Sequence, residues 1–200
     1  MQKWALRVGP VLAILLVIAG CSGMEPRRWI RYVDKEKRFS IDIPRDFQSI
    51  DRVERTAFGS LPVFTLYWRT AVFAIADMDV KLLELSNVDV SAALNTFSKE
   101  QLLDSAMSYF REHQYDINRN GRVIRFDSIR KSTFPGRYLI ACEDVTKADS
   151  LIVFVKAYLV GSRLYTIKAN GYKASIKAAV VDSFLNSFRI LGPAETSRME

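Results

Sequence analysis

Apolar and polar residues alternate strictly over several stretches of this chain. In RFSIDIPRDF, Phe39, Ile41 and Ile43 alternate with Ser40 and Asp42, the period-2 pattern of a strand with one buried face. The preceding RWIRYVDKEK supplies its hairpin partner, with Asp34 to Lys37 as a polar turn. Pro44 ends the second strand because it has no N–H to donate to a ladder. LPVFTLYWRTAVFAIADMDV is dense in aromatic and β-branched residues and predicts one or two strands. Alternation there places Phe64, Leu66 and Trp68 on one side and Tyr67 on the other. Further strands are predicted at Arg122 to Ile129, Arg137 to Glu143 and Leu151 to Val160, and Gly161-Ser162 makes a tight turn into RLYTIKA.

Two stretches change period. In SKEQLLDSAMSYFREHQ, Ser98 and Gln101 have the spacing of a capping box. Behind them Leu103, Met107 and Phe110 form a helical stripe that Leu102 and Ala106 widen, a pattern that reads as core packing. NRNG, Asn118 to Gly121, breaks the chain after it. A last helix is predicted from near Ser175, with Ile176, Val180, Phe184 and Phe188 at every fourth position, and SFRIL closes the domain. Strands, a helix, a strand run and a terminal helix predict an α+β fold, a mostly antiparallel sheet flanked by helices.

The N-terminus has a different pattern. Lys3 and Arg7 precede an apolar run from Val11 to Ala19, well short of the roughly 20 residues that cross a bilayer. A charged head, a short apolar middle and small residues at the end are the layout of a secretory signal peptide. Ile18-Ala19-Gly20-Cys21 resembles the bacterial lipobox. That resemblance implies cleavage before Cys21, a diacylglycerol on its thiol and, with Ser22 rather than Asp next, the periplasmic side of an outer membrane where the cell has one. The expected organisation is a leader over 1–20, a tether over 21–28, one α+β domain over 29–192 and a C-terminal tail over 193–200. Two or three lipid chains hold a protein on a membrane where one binds only reversibly.

Apolar residues make up 49% of the chain, enough for a sizeable core. Loss of Lys3 and Arg7 with the leader would lower the net charge from +7 to +5. The basic residues are scattered rather than clustered, so they read as a solvated exterior, with weak attraction to anionic lipid second and no nucleic-acid partner expected. Cys21 and Cys142 are the cysteines. With Cys21 lipidated, Cys142 has no intrachain partner, and its place in YLIACED reads as a buried, inert thiol.

RFSIDIPRDF early, YLVGSRLYTIKA late and a terminal helix ending in SFRIL resemble the PsbP-like superfamily, the PsbP and Mog-type group. The resemblance covers most of residues 28–192. It implies an antiparallel sheet flanked by helices and a non-enzymatic binding or scaffolding module, and it transfers no site residues.

The inventory for catalysis is thin. His113 is the single histidine, which excludes sites built on two His ligands; beside Glu112 and Gln114 it reads as a helix-end residue. Asp77 and Asp79 share a strand face, but the further ligands and Gly of a calcium loop are missing and a solvated strand end is expected. Asn118 to Gly121 has no P-loop around it, and Ser60 in FGSLP lacks the G-x-S-x-G elbow. Trp29, Tyr32, Tyr67 and Trp68 offer an aromatic face, of which only Trp29, just past the tether, is expected outside the core. No catalytic residue, metal site or cofactor is expected. The leading expectation is a membrane-anchored module that binds an envelope protein or small ligand. The alternative is an envelope enzyme in which Asp77, Asp79 and Glu143 converge. Capture of a small apolar ligand between sheet and helix lies between the two.

Overall fold

The computed structural model describes residues 29–69, 82–113, 121–129 and 132–192. β1 (Trp29–Asp34) and β2 (Phe39–Pro44) pair antiparallel. Asp34 closes the turn between them by accepting the Lys37 N–H at 2.7 Å. β10 (Arg189–Ile190) adds a third strand to β2. The remaining strands are β3 (Gln48–Thr56), β4 (Gly59–Arg69), β5 (Leu82–Asp89), β6 (Arg122–Ser128), β7 (Gly136–Cys142), β8 (Leu151–Val160) and β9 (Arg163–Tyr172). They form a seven-stranded sheet in the order β3-β4-β5-β9-β8-β7-β6, antiparallel at every pairing. α1 (Lys99–His113) and α2 (Ala178–Ser187) are the α-helices among the described residues.

The large sheet is apolar on both faces. On one, Phe64, Leu66, Trp68, Leu83, Leu85, Tyr165, Ile167 and Ala169 pack against Phe39, Ile41 and Ile43 of β2 and against Val181, Phe184 and Leu185 of α2. On the other, Leu139, Val153, Val155, Ala157 and Leu164 pack under Leu102, Leu103, Met107 and Phe110 of α1. The alternation read for β4 is therefore correct, and so is the stripe of α1. Its capping box is formed: Ser98 Oγ accepts the Gln101 N–H at 3.2 Å, and Gln101 Oε1 accepts the Ser98 N–H at 2.9 Å. Each large side chain buried in these two cores contributes about 1.5–3 kcal/mol.

The start of one expected element shifts, and two strands appear that no pattern announced. α2 starts at Ala178 rather than near Ser175, because a turn in which Ile176 N–H bonds to Tyr172 C=O intervenes. The expected run packs on the first core, with Phe184 and Phe188 buried and Ile176 and Val180 half-buried against it, and Val181 and Leu185 widen the stripe. β3 and β5 carry no sequence expectation at all. QSIDRVERT is an edge strand exposed on most of its length, and LLELSNVD is leucine-rich with few β-branched residues.

Tyr165 and Arg137 are among the side chains that join the layers. Tyr165 of β9 donates its hydroxyl to the Lys37 carbonyl at 2.5 Å, reaching the β1–β2 turn; burial raises its pKa above the usual tyrosine value. Arg137 of β7 reaches the first half of α1, where its Nε bonds to Asp104 Oδ1 at 2.6 Å and its second arm to Glu100. Its guanidinium is held above its ordinary pKa chiefly by the Asp104 hydrogen bond, with Glu100 adding to it against the effect of burial. Gly136 beside it admits no side chain: a Cβ would stand 2.8 Å from the Ala157 carbonyl oxygen of β8.

Phe184→Ala is expected to lower stability by about 3–5 kcal/mol, the cost of truncating a core aromatic, read as a shifted denaturant midpoint. A second expectation concerns the Arg137 clamp. Its side chain is 9% exposed, whereas those of Glu100 and Asp104 are 61% and 52% exposed. The double change Glu100→Gln, Asp104→Asn leaves a buried cation without its charged partners and should cost about 1.5–3 kcal/mol. Arg137→Met should cost less, because the exposed carboxylates simply rehydrate. Thermal denaturation gives the order, and the reverse order would refute the clamp.

Candidate functional site

The residues singled out for chemistry do not assemble into a catalytic group among the described residues. Cys21, Asp77 and Asp79 lie outside the described residues, so the meeting of the two aspartates with Glu143 does too. Glu143 itself follows β7 and donates its N–H to Leu151 C=O at 3.0 Å. His113 is the last residue of α1, and its side chain lies outside the described set. Of the NRNG segment, Gly121 alone is described, immediately before β6. Ser60 is exposed on β4 opposite Arg55. Cys142 is fully buried, and its thiol donates to the Asp144 carbonyl at 3.5 Å.

Of the four aromatics, Trp68 is in the core, and Tyr32 packs edge-on against Phe47 with centroids 5.3 Å apart. Tyr67 donates its hydroxyl to Gln48 Oε1 at 2.5 Å. Trp29 remains 36% exposed at the start of β1. Among the described residues no cluster of three or more His, Cys, Asp or Glu is placed to hold a metal.

What the tertiary structure does build is a cleft between the large sheet and the second half of α1, with a cavity of about 60 Å³. α1 crosses the sheet from β7, where Arg137 holds it, to β3, where Tyr109 donates its hydroxyl to Arg55 C=O at 2.9 Å. Met107 and Phe110 roof the cleft, and Phe58 closes one end. Strand pairing orders the floor into three rows running across β4, β5 and β9. Val63, Val88 and Leu164 form an apolar row. Thr65, Ser86 and Thr166 form a hydroxyl row beside it. Glu84 and Lys168 form an ionic row, with Nζ 3.1 Å from Oε1.

These residues share the α1-facing side because Thr166 and Lys168 alternate with the buried Tyr165 and Ile167 of the opposite face. Lys168 is 2% exposed and lies 5.5 Å from the Phe110 ring centroid, so its charge is held by Glu84 and by the ring face. At the rim, Glu54 is paired with Arg52 at 2.5 Å. The arrangement lacks a base poised on a nucleophile. It offers apolar walls, a few convergent polar groups and internally compensated charge, which is the make-up of a binding site.

None of these floor residues was marked by the sequence. The usable sign was polar residues inside RLYTIKA, a stretch whose apolar neighbours demand burial on both faces. The partner of Lys168 lies on β5, a strand that the sequence pattern does not announce.

No protein-family model matches the chain, and no curated protein matches it. Among solved structures, that of cyanobacterial PsbP (CyanoP) from Synechocystis sp. PCC 6803 matches over 85% of this chain and 96% of its own, at 13% identity and a TM-score of 0.54. A crystal structure from Bacteroides thetaiotaomicron VPI-5482 matches over 82% of this chain and 49% of that one, at 10% identity and a TM-score of 0.43. A protein of unknown function from Pseudomonas aeruginosa matches over 74% of this chain and 85% of its own, at 10% identity and a TM-score of 0.37. The fold, an α+β arrangement dominated by its antiparallel sheet, is thus the PsbP-like one of the cyanobacterial protein.

Proposed function

We propose that this chain is a lipid-anchored protein of the bacterial envelope whose PsbP-like domain binds a partner and carries out no reaction. The cleft under α1 carries the binding half of this reading: apolar walls over a floor of hydroxyls and a compensated ion pair suit recognition rather than bond breaking. The partner is an envelope protein or a small ligand, not nucleic acid. The anchoring half rests on the lipobox-like Ile18-Ala19-Gly20-Cys21 at the end of a short apolar run. β1 begins at Trp29, eight residues after Cys21. A lipid on Cys21 would therefore keep the domain within about 26–29 Å of the membrane, on the periplasmic side of an outer membrane where the cell has one. Trp29 stands exposed at that end, where an amphipathic ring suits the headgroup zone.

Cys21→Ser is expected to abolish incorporation of labelled fatty acid and to leave the leader uncut; equal labelling of wild type and variant would refute the anchor. The competing reading is an enzyme using Asp77 and Asp79. Full-length protein should show no turnover on a panel of esterase, phosphatase, peptidase and glycosidase substrates. Turnover that Asp77→Asn, Asp79→Asn removes would replace the binding reading with a carboxylate site.

A further inference from the structure

Thr65 and Thr166 are 4% and 9% exposed, and both line the cleft. The half-buried Ser86 stands between them. Here the three stand side by side on adjacent strands, about 4.8 Å apart, and all line the cleft. The row sets three hydroxyls side by side on the floor of a cleft whose walls are apolar.

The rows on either side define what such a cleft accepts. The Val63, Val88 and Leu164 row and the Met107 and Phe110 roof accept an apolar body. Glu84 and Lys168 already neutralise one another at 3.1 Å, as Glu54 and Arg52 do at 2.5 Å. A cationic ligand drawn to Glu84 would meet the Lys168 ammonium, and an anionic one drawn to Lys168 would meet the Glu84 carboxylate. Either would have to part a buried pair, which is costly. An uncharged group that both donates and accepts can bond to hydroxyls and carboxylate without disturbing it.

We propose that this cleft binds an uncharged small amphiphile, an apolar body carrying a hydroxyl-bearing polar edge, with that edge on Thr65, Ser86 and Thr166 and the body against the Val63, Val88 and Leu164 row. The cavity of about 60 Å³ is under half of the roughly 150 Å³ space that encloses benzene. It takes the inner segment of such a molecule, and the rest lies along the rim at Thr56 and Ala57. This rests on the binding reading above and specifies its ligand.

The test uses full-length protein in membrane vesicles and three photoreactive diazirine probes of equal chain length: a vicinal alkanediol, an alkylamine and an alkanoate. Peptide mass spectrometry is expected to place the diol adducts on Met107 and Phe110, competed by excess unlabelled diol. Thr166→Val and Ser86→Ala should each weaken that labelling about fivefold, the worth of one net hydrogen bond. The thermal midpoint of Thr166→Val should equal or exceed that of wild type; a clear fall would show that the hydroxyl holds the fold, and would overturn the proposal. Equal cleft labelling by the amine or the alkanoate would overturn the uncharged class while leaving a binding cleft. No cleft adduct with any probe would overturn the cleft as the site, leaving the binding reading to the turnover panel.

Discussion

A seven-stranded sheet with apolar side chains on both faces has to be covered twice, and most of this structure follows from how the chain meets that requirement. β9 lies at the middle of the sheet and is buried along nearly its whole length, with Tyr165, Ile167 and Ala169 on one face and Leu164 on the other. One face is closed by the small sheet and α2, which come from the two ends of the described chain. Among the described residues, the other is closed chiefly by α1, with Val90, Ala93 and Leu94 packed beside it. The N- and C-terminal elements are thus tied together through the first core.

Among the described residues, α1 and the segment beside it cover that face only in part. α1 seals β7 and β8, where Leu139, Val153, Val155 and Ala157 are fully apolar partners. Over β4, β5 and β9 it passes further off, and there the floor changes to Thr65, Ser86, Thr166, Glu84 and Lys168. Among the described residues, the cleft lies where α1 stands off the sheet. Its polar floor fits a half-covered sheet, where Glu84 and Lys168 hold each other at 3.1 Å rather than stand unpaired in a dry core. Two pins keep the helix in place above it, Arg137 at one end and Tyr109 at the other.

The edges of the sheet differ in character. β3 is edged with charge at Asp51, Arg52, Glu54 and Arg55, the usual guard against unwanted strand pairing. β6 is exposed throughout and presents Val123, Ile124 and Phe126, with a register shift between Val123 and Arg125 that bends the edge. Arg125 covers part of that surface by lying 5.3 Å from the Tyr138 ring centroid while bonding to Asp127.

Period-2 and helical patterns are local, and so the β1–β2 hairpin, the faces of β4, the stripe and capping box of α1 and the run β6 to β9 were legible from residues 39–43, 64–68, 98–110 and 122–172 alone. The leader-like segment ending at Cys21 is equally a matter of local composition. β3 and β5 were not legible, because an edge strand shows little alternation and LLELSNVD owes its strand state to the neighbours that flank it. The cleft was decided wholly by tertiary structure. Glu84 and Lys168 lie far apart in sequence, as do Thr65, Ser86 and Thr166, and they meet only because β9 enters the sheet beside β5. No pattern along a chain records which strand will lie next to which, since that choice minimises exposed apolar area over the whole domain rather than within any segment of it.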